Sequence, residues 1–289
     1  MEYTAFAYAK LNISLDVVGS LPNNYHAVSM VMESVSLHDD IHLKAEPGTG
    51  VKAQSNLTYL PGDRRNIAVK AAEIFLRETG ISNQRLTIDI TKRIPVCAGM
   101  AGGSSDAAAV LRGLNQMFKT GLSEKELELM GVSIGSDVPY CVAGGTALAE
   151  GRGEILTPLP PMPDCHIVIC KPKFPISTPE LFARIDTVKI RNRPDTAGII
   201  QALGKGSLRD IARRMYNVFE DVLRREEREV RKIKNLLLRY DAMGATMSGT
   251  GPTVFGVFEN LGRAKRAYNV LKPLYDDCYL TKNIRKLEI

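Results

Sequence analysis

Residues 95–115 constrain the fold more than any other segment, because a glycine-rich loop runs directly into a helical stretch. The small residues of the loop are Ala98, Gly99, Ala101, Gly102 and Gly103. Small residues let the backbone approach a ligand closely, and glycine permits the positive φ angles that turn several N–H groups in one direction. The following helix adds unpaired N–H donors and the positive end of its dipole. The segment therefore predicts an anion cradle for the phosphate chain of a nucleotide.

The loop differs from the two best-known phosphate motifs. A Walker A loop needs a lysine directly after its last glycine, whereas Ser104 follows Gly103 here. The glycine spacing also departs from the G-x-G-x-x-G of dinucleotide-binding folds. Ser104, Ser105 and Asp106 lie where loop becomes helix, so they can cap the helix, and their oxygens can also reach a phosphate or its magnesium ion. A tight glycine turn with an ordinary serine cap is the alternative.

Composition limits the class of protein. The 289 residues, 44% of them hydrophobic, suit one large domain or two with a real core. The net charge of +6 favours anionic ligands, but its densest run, residues 224–234, mixes both signs and contains the helical pair Glu227 and Arg231. That run lacks interleaved aromatic residues, so we expect a solvated helix face and no nucleic-acid partner.

Cysteine usage and hydropathy predict the compartment. The five cysteines show no C-x-x-C spacing, which argues against a disulfide framework and a zinc site. The N-terminal residues lack a basic leader, and no apolar run approaches membrane-spanning length. We therefore expect a reduced, cytoplasmic location and no membrane association.

Periodic apolar residues predict strands and helices mixed along the chain. We expect strands over residues 9–17, 86–90, 167–170 and 253–258, and near Tyr279. We expect helices over residues 66–77 and 107–118, a series between 179 and 240, and one over 263–271. Ser123 and Glu126 have the spacing of a capping box, which begins a further helix that ends near Gly131. This order is too irregular for a doubly wound parallel sheet and predicts an α+β protein.

A proline-rich stretch over residues 156–163 is the best candidate for a domain boundary. We therefore expect two domains, over residues 1–156 and 157–289.

Three segments outside the loop carry polar residues whose spacing allows chemistry. Lys10 and Asn12 share one face of a strand, about 7 Å apart, and face either a ligand or solvent. Asp137 lies in a turn, where it is either a base for a hydroxyl group or a helix-terminal cap. Thr178 is an expected N-cap before Pro179. Phe182, one turn later, packs in the core or contacts a ligand.

Taken together, these segments resemble the GHMP kinases, the superfamily of galactokinase, homoserine kinase and mevalonate kinase. Residues 95–108 resemble its phosphate loop, and residues 248–253 resemble its C-terminal glycine motif. Within the superfamily, the similarity is strongest to a kinase whose acceptor alcohol carries a cytidine diphosphate group. The segments that carry this similarity occur in the family's order and are residues 9–15, 25–26, 98–108, 134–139 and 144–154.

The resemblance implies a two-domain GHMP-kinase fold, with an N-terminal ATP-binding domain, a C-terminal substrate-side domain and an active site in the cleft between them. Asp137 would accept or orient the proton of the acceptor hydroxyl, and Lys10 would keep Asp137 ionised and steady the transferring phosphoryl group. ATP would contact Pro95, Gly99, Met100, Ala101, Gly102, Gly103, Ser104 and Ser105, with Asn66 and Lys92 near the nucleotide. Ser105 would also help to hold Mg²⁺.

On the acceptor side, the resemblance implies substrate contacts from Asn12, Tyr25, His26, Thr178, Phe182, Gly249 and Thr250. Tyr25 and Phe182 would stack on the two faces of the cytosine ring. The family usually has Asp-Gly before the Tyr-His pair, whereas this chain has Asn23 and Asn24. Asn24 would then adopt a left-handed conformation, which asparagine tolerates.

The expected function is ATP- and Mg²⁺-dependent phosphorylation of a hydroxyl group on a small polyol that carries cytidine diphosphate, on the non-mevalonate route to isoprenoids. The expected assembly is a monomer or a weak homodimer. Two alternatives stay open at this point. One is a GHMP kinase for another alcohol, such as homoserine or mevalonate, and the other is a catalytically silent binding protein on the same fold.

Overall fold

The computed structural model describes residues 1–22, 25–190, 192–224 and 228–287. The predicted left-handed Asn24 and the predicted Glu227–Arg231 pair fall outside these residues, because Asn24 and Glu227 do. The strands are β1 (Glu2–Ser20), β2 (His26–Pro47), β3 (Val51–Ser55), β4 (Gln84–Thr91), β5 (Thr146–Glu150), β6 (Ile155–Pro158), β7 (His166–Lys171), β8 (Tyr216–Asn217), β9 (Gly244–Met247), β10 (Val254–Phe258) and β11 (Asp277–Lys282).

The helices surround these strands and include one short 3₁₀ helix at Val218–Val222. The α-helices are α1 (Ile67–Thr79), α2 (Gly102–Phe118), α3 (Glu124–Val132), α4 (Val138–Ala143), α5 (Thr178–Ile185), α6 (Thr196–Gly204), α7 (Leu208–Arg213), α8 (Arg228–Arg239) and α9 (Leu261–Leu271). Among the described residues, no helix combines the length and apolar character needed to cross a lipid bilayer.

Two sheets organise the described part of the chain. The larger has the order β3-β4-β2-β1-β8, with β5 joined to β2 and β6 joined to β5, and the smaller has the order β11-β7-β10-β9. Neighbouring strands are antiparallel except in the β3–β4 and β1–β8 pairs. A mixed larger sheet and an antiparallel smaller sheet, with helices packed on them, confirm the predicted α+β class. The predicted domain boundary after residue 156 falls inside β6, the strand of the larger sheet that precedes β7 of the smaller one. Since β8 also returns to the larger sheet, the boundary stays a prediction.

Most predicted elements are present, and one long strand was not predictable from periodicity. The capping box that begins α3 is formed, with Ser123 and Glu126 each accepting a hydrogen bond from the other residue's backbone N–H. β2 spans 22 residues, and its residues 30–35 are buried on both faces, so apolar and polar residues do not alternate there. α5 begins at Thr178 with Ser177 as its N-cap, so the prediction of Thr178 as N-cap is wrong by one residue.

β1 is also buried on both faces, which determines the surroundings of its polar residues. Ala7 packs in the cluster beneath α1 and α2, whereas Leu11 packs in the cluster of the smaller sheet. Register shifts on either side of Lys10 and Asn12 allow the strand to change the face it presents. Lys10 and Asn12 are only 4% and 0% exposed. The solvent-face alternative for these two residues is therefore wrong.

Glu33 is a buried carboxyl where β2, β5 and the segment after β11 meet. Thr146 Oγ1 donates to Glu33 Oε2 at 2.6 Å, and Asn283 Nδ2 donates to Glu33 Oε1 at 3.3 Å. Burial raises the pKa of Glu33 to about 7, because desolvation outweighs the two hydrogen bonds, which act to lower it. Ionising this residue in the folded protein therefore costs free energy.

We predict that protonated Glu33 stabilises the folded protein below pH 4.5, and that this stabilisation is lost as the pH rises to about 7, because the unfolded chain releases the proton more readily. Between pH 5 and pH 8.5, the wild type should lose about 2–3 kcal/mol relative to Glu33→Gln, which cannot ionise. Urea unfolding at both pH values, with exposed Glu78→Gln as the control, measures this difference. Equal pH dependence in the wild type and Glu33→Gln would contradict the raised pKa.

Candidate active site

A single cavity of about 1020 Å³ collects most of the predicted site residues. Its walls come from β1, the start of β2, the glycine loop, the N-terminal ends of α4 and α5, and the turn after β9. The predicted residues that line it are Lys10, Tyr25, His26, Gly99, Ala101, Ser104, Asp137, Thr178, Phe182, Gly249 and Thr250. Elements from both halves of the sequence therefore meet at one cleft.

The glycine loop ends in a helix with an uncapped N-terminus. Ala101, the N-cap of α2, is left-handed at φ 57° and makes no side-chain capping bond. The prediction that Ser104, Ser105 or Asp106 caps the helix is therefore wrong. By helix geometry, the N–H groups of residues 102–104 have no partner within the helix. Ser104 lines the cavity, so this end of α2 offers donors and a positive dipole to an anion there.

Gly99 makes a close contact between the loop and the C-terminal glycine turn. A Cβ atom on Gly99 would lie 2.1 Å from the Ser248 carbonyl oxygen, and its φ of +71° favours glycine as well. Ser248 Oγ donates to the Gly99 carbonyl at 2.9 Å. The loop is tied to β1 through the Lys10 N–H, which donates to the Met100 carbonyl at 3.2 Å. Met100 thus fixes the loop through its backbone, while its side chain is buried.

Asp137 and Lys10 form the charged pair of the cavity. Lys10 Nζ lies 3.9 Å from Asp137 Oδ2 and donates to Asn12 Oδ1 at 2.7 Å. Asp137 occupies the N-cap position of α4 yet makes no side-chain capping bond, and its side chain is 33% exposed. Its carboxylate is therefore available to a ligand, and the cap alternative is not observed. Asn12, predicted to contact substrate, is fully buried behind Lys10 and supports it instead.

Lys92 lies in a buried ion cluster. Its ammonium donates to Asp106 Oδ2 at 2.7 Å and to Asp39 Oδ2. Burial acts to lower the pKa of Lys92, but the charges of Asp106 and Asp39 outweigh it, and the pKa is raised. Asp39 also accepts hydrogen bonds from the backbone N–H groups of residues 93 and 94, just before the glycine loop. Lys92 and Asp106 therefore hold each other at the base of the loop, so the phosphate contact that Asp106 could have made is not observed. The placement of Lys92 near the nucleotide stays a prediction.

Three other residues that were predicted to contact the nucleotide or the metal ion have structural roles. Ser105 is buried and its hydroxyl donates to the Tyr8 carbonyl at 2.7 Å, so it faces away from the cavity and does not fit the predicted metal contact. Asn66 is the N-cap of α1, where its Oδ1 accepts from Ala68 N–H at 3.0 Å. Pro95 is buried at the start of the loop.

The described residues contain no cluster of three or more His, Cys, Asp or Glu side chains that could hold a metal ion. Magnesium that accompanies a nucleotide takes most of its ligands from phosphate and water, with one or two from protein oxygens. Asp137 and Ser104, which line the cavity, fit that limited requirement.

The acceptor side of the cavity is aromatic, and the predicted placement of a base between Tyr25 and Phe182 stays a prediction. His26 stacks on Phe182, with ring centroids 4.8 Å apart and planes at 27°. Phe182 also meets Phe219 edge to face at 4.9 Å. His26 Nε2 lies 2.8 Å from Asp186 Oδ1, at the end of α5. The Tyr25 ring lies under the Arg152 guanidinium, 5.2 Å from its centroid.

Thr178 and Thr250, both predicted to contact substrate, lie together. Their hydroxyl oxygens are 2.8 Å apart, which joins α5 to the C-terminal glycine turn. Asn217 supports that turn, because its Nδ2 donates to the carbonyls of Met247 and Gly249 at 2.8 Å each. Gly249 reaches the cavity in this way.

Sequence reasoning missed several residues that shape the cavity. They are Asp39, Arg152, Asp186, Asn217 and Ser248. Arg152 and Ser248 lie inside segments that carry the family resemblance, so those segments were a signal, although neither residue received a role. Asp39, Asp186 and Asn217 act through partners far away in sequence, and no local pattern marks them.

Comparisons with known proteins show the family to which the chain belongs. Residues 66–145 match the GHMP kinases N terminal domain, and residues 199–277 match GHMP kinases C terminal. A protein of Alkaliphilus metalliredigens, named 4-diphosphocytidyl-2-C-methyl-D-erythritol kinase, is 45% identical over 275 residues, 95% of this chain and 94% of that relative. The crystal structure of a 4-(cytidine 5'-diphospho)-2C-methyl-D-erythritol kinase has a TM-score of 0.80 at 28% identity, covering 98% of this chain and 99% of that one. A homoserine kinase from Cytophaga hutchinsonii has a TM-score of 0.77 at 19% identity, over 99% of this chain and 96% of that one, which shows likeness of fold alone.

We predict that Lys92→Met destabilises the protein by roughly 3–5 kcal/mol, because it leaves two buried carboxylates without their cation. Urea unfolding measures the loss. The control is Lys125→Met, since Lys125 is 75% exposed and its pair with Glu128 is at the surface, where such pairs contribute about 1 kcal/mol or less. Similar losses in the two variants would show that the cluster does not stabilise the base of the loop.

Proposed function

Since the chain belongs to the GHMP kinases, among relatives that are 4-diphosphocytidyl-2-C-methyl-D-erythritol kinases, we propose that it transfers the γ-phosphoryl group of ATP to the 2-hydroxyl group of 4-diphosphocytidyl-2-C-methyl-D-erythritol. One observation supports phosphoryl transfer to a hydroxyl group as the class of reaction. The uncapped end of α2 and the Lys10–Asp137 pair line the same cavity, so an anion cradle and a carboxylate for an acceptor hydroxyl are brought together.

Phosphoryl transfer asks a protein mainly for positioning and for stabilisation of charge. The N–H groups of residues 102–104 bind the β- and γ-phosphates of ATP. Asp137 accepts a hydrogen bond from the acceptor hydroxyl and aligns it with the γ-phosphorus. In a loose transition state the proton moves late, so Asp137 orients more than it abstracts. Lys10 stabilises negative charge on the transferring group, and Asn12 holds Lys10 in place.

ATP is the phosphoryl donor of a GHMP kinase, and Mg²⁺ is proposed to accompany it. When bound, the ion neutralises charge on the phosphates. Ser104 and Asp137 are the cavity residues suited to contact it, in place of the buried Ser105. The separation of Ser105 from the cavity supports this reassignment.

The acceptor is proposed to be a small molecule with a cytidine diphosphate group. A stacked pair of rings, His26 and Phe182, lines the cavity and supports binding of a nucleobase. Tyr25 is proposed to cover the other face of the base, as the resemblance implies. Absence of a nucleic-acid partner, a cytoplasmic location and a monomer or weak homodimer stay predictions.

The alternatives differ in what they require of the cavity. A homoserine or mevalonate kinase has no base to bind, so the His26–Phe182 surface would have no purpose. A silent binding protein has no need of Asp137 or Lys10, and both are present and paired.

We predict that the purified protein with ATP and Mg²⁺ releases ADP in the presence of the cytidyl substrate. Mevalonate and homoserine should give less than about one hundredth of that rate, since they leave the base surface unfilled. A coupled ADP assay over the three acceptors measures this. Equal turnover of mevalonate or homoserine would contradict the proposed acceptor.

We predict that Asp137→Asn keeps the fold and ATP binding but lowers kcat at least about a hundredfold, because the amide cannot accept the hydroxyl proton. Steady-state kinetics measure kcat, and calorimetric titration with ATP checks the nucleotide site. Asp164→Asn is the control, since Asp164 is an exposed partner of Arg285 outside the cavity. Near-normal kcat in Asp137→Asn would remove Asp137 from the mechanism.

A further inference from the structure

We propose that Arg152 binds the diphosphate group of the acceptor substrate, an inference that rests on the proposed function. Arg152 lies within residues 144–154, a segment of the family resemblance to which no role has been given above. Its side chain lines the cavity and is 40% exposed.

A tight turn between β5 and β6 presents Arg152 to the cavity. Both neighbours are glycines with positive φ, 69° at Gly151 and 113° at Gly153. Other residues adopt such angles only with strain, so the two glycines fix the path of the turn. The Glu154 carboxylate accepts from the Arg152 backbone N–H at 2.7 Å and closes the turn. The backbone that carries the Arg152 guanidinium is therefore ordered.

Two distances place the turn that carries Arg152 between the parts of the site that serve the base and the hydroxyl. Its guanidinium carbon lies 5.2 Å from the centroid of the Tyr25 ring, on the base side. On the hydroxyl side, a Cβ atom added to Gly153 would lie 3.9 Å from Asp137 Oδ1. In the proposed substrate, the diphosphate joins the cytidine to the polyol that carries the reacting hydroxyl. The turn that carries Arg152 therefore lies between the sites proposed for the base and for the reacting hydroxyl, which the diphosphate has to join.

The guanidinium has donors to offer. Among the described residues its nearest acid is Glu154, with Oε1 3.5 Å from Arg152 Nε, and no described residue accepts a hydrogen bond from the guanidinium. The other lysine or arginine in the described lining is Lys10, which Asp137 and Asn12 already engage. A planar guanidinium binds phosphate oxygens with two parallel hydrogen bonds. Arg152 is therefore the cation of this cavity best suited to a diphosphate.

A purely structural role for Arg152 predicts a different result. If it serves only to support Tyr25, its loss weakens binding of the base itself, with or without phosphate. Cytidine, CMP and CDP as competitive inhibitors separate the two roles, because they share the base and differ in phosphate.

The test compares the wild type, Arg152→Gln and Arg152→Lys, with Arg266→Gln as the matched control. Arg266 is exposed and paired with one acid, Asp241, outside the cavity. In Arg152→Gln, the KM for the cytidyl substrate and the Ki of CDP should rise roughly 10- to 100-fold, as expected for loss of charged hydrogen bonds. The Ki of cytidine and the KM for ATP should change less than about threefold. Arg152→Lys should give an intermediate Ki for CDP, since a lysine keeps the charge without the planar fork.

Three outcomes overturn the inference. Equal losses for cytidine and CDP would show that Arg152 acts through Tyr25. An unchanged Ki for CDP would show that the guanidinium does not reach the diphosphate. Wild-type protein that neither turns over the cytidyl substrate nor binds CDP would overturn the proposed function itself, and that result is visible before any variant is made.

Discussion

The close approach of two glycine segments is the contact on which the rest of the site depends. Gly99 lies against the turn at Ser248, at a distance that leaves no room for a side chain. Ser248 Oγ donates to the Gly99 carbonyl and accepts from the Asn12 N–H at 3.2 Å, so one hydroxyl joins the loop, the turn and β1. The phosphate side and the acceptor side of the cavity are thereby held in one fixed relation. Near-attack geometry requires such a relation, because small displacements of reacting groups cost large factors in rate.

The charged residues near the cavity form two groups, one that stabilises the loop and one that faces the ligand site. Lys92 sits with Asp39 and Asp106 in the protein interior, where its ammonium has two carboxylates and stabilises the base of the loop. Asp137 is paired with Lys10 at a longer distance and keeps one third of its side chain exposed. A closely paired, buried charge is costly to disturb, whereas a loosely paired charge at a cavity wall can exchange partners with a ligand. Asp137, the more loosely paired of these acids, is the one that lines the cavity.

Sequence predicted the features that local pattern determines. The glycine loop, the α3 capping box and the turn at Asp137 depend on residues within about one helical turn of each other, so their spacing is visible in the chain. The Lys92–Asp39 pair joins residues 53 apart in sequence, and the His26–Asp186 pair joins residues 160 apart. Only the folded topology brings such partners together. Burial of β1 on both faces likewise depends on the folded topology. Because of it, Asn12, an expected substrate contact, is buried and supports Lys10 instead.

The phosphate side alone does not distinguish this chain from other proteins of its fold, because helix N–H groups bind any suitably placed anion with little further selectivity. Selectivity has to come from the acceptor side. There, a stacked His26–Phe182 surface comes from the start of β2 and from α5, and Arg152 comes from the turn between β5 and β6. Neither feature selects a substrate alone, since a ring pair binds many apolar groups and an arginine binds many anions. A base and a diphosphate held at the correct separation from Asp137 describe far fewer molecules, so selectivity arises from the distance between the pieces, which the fold sets.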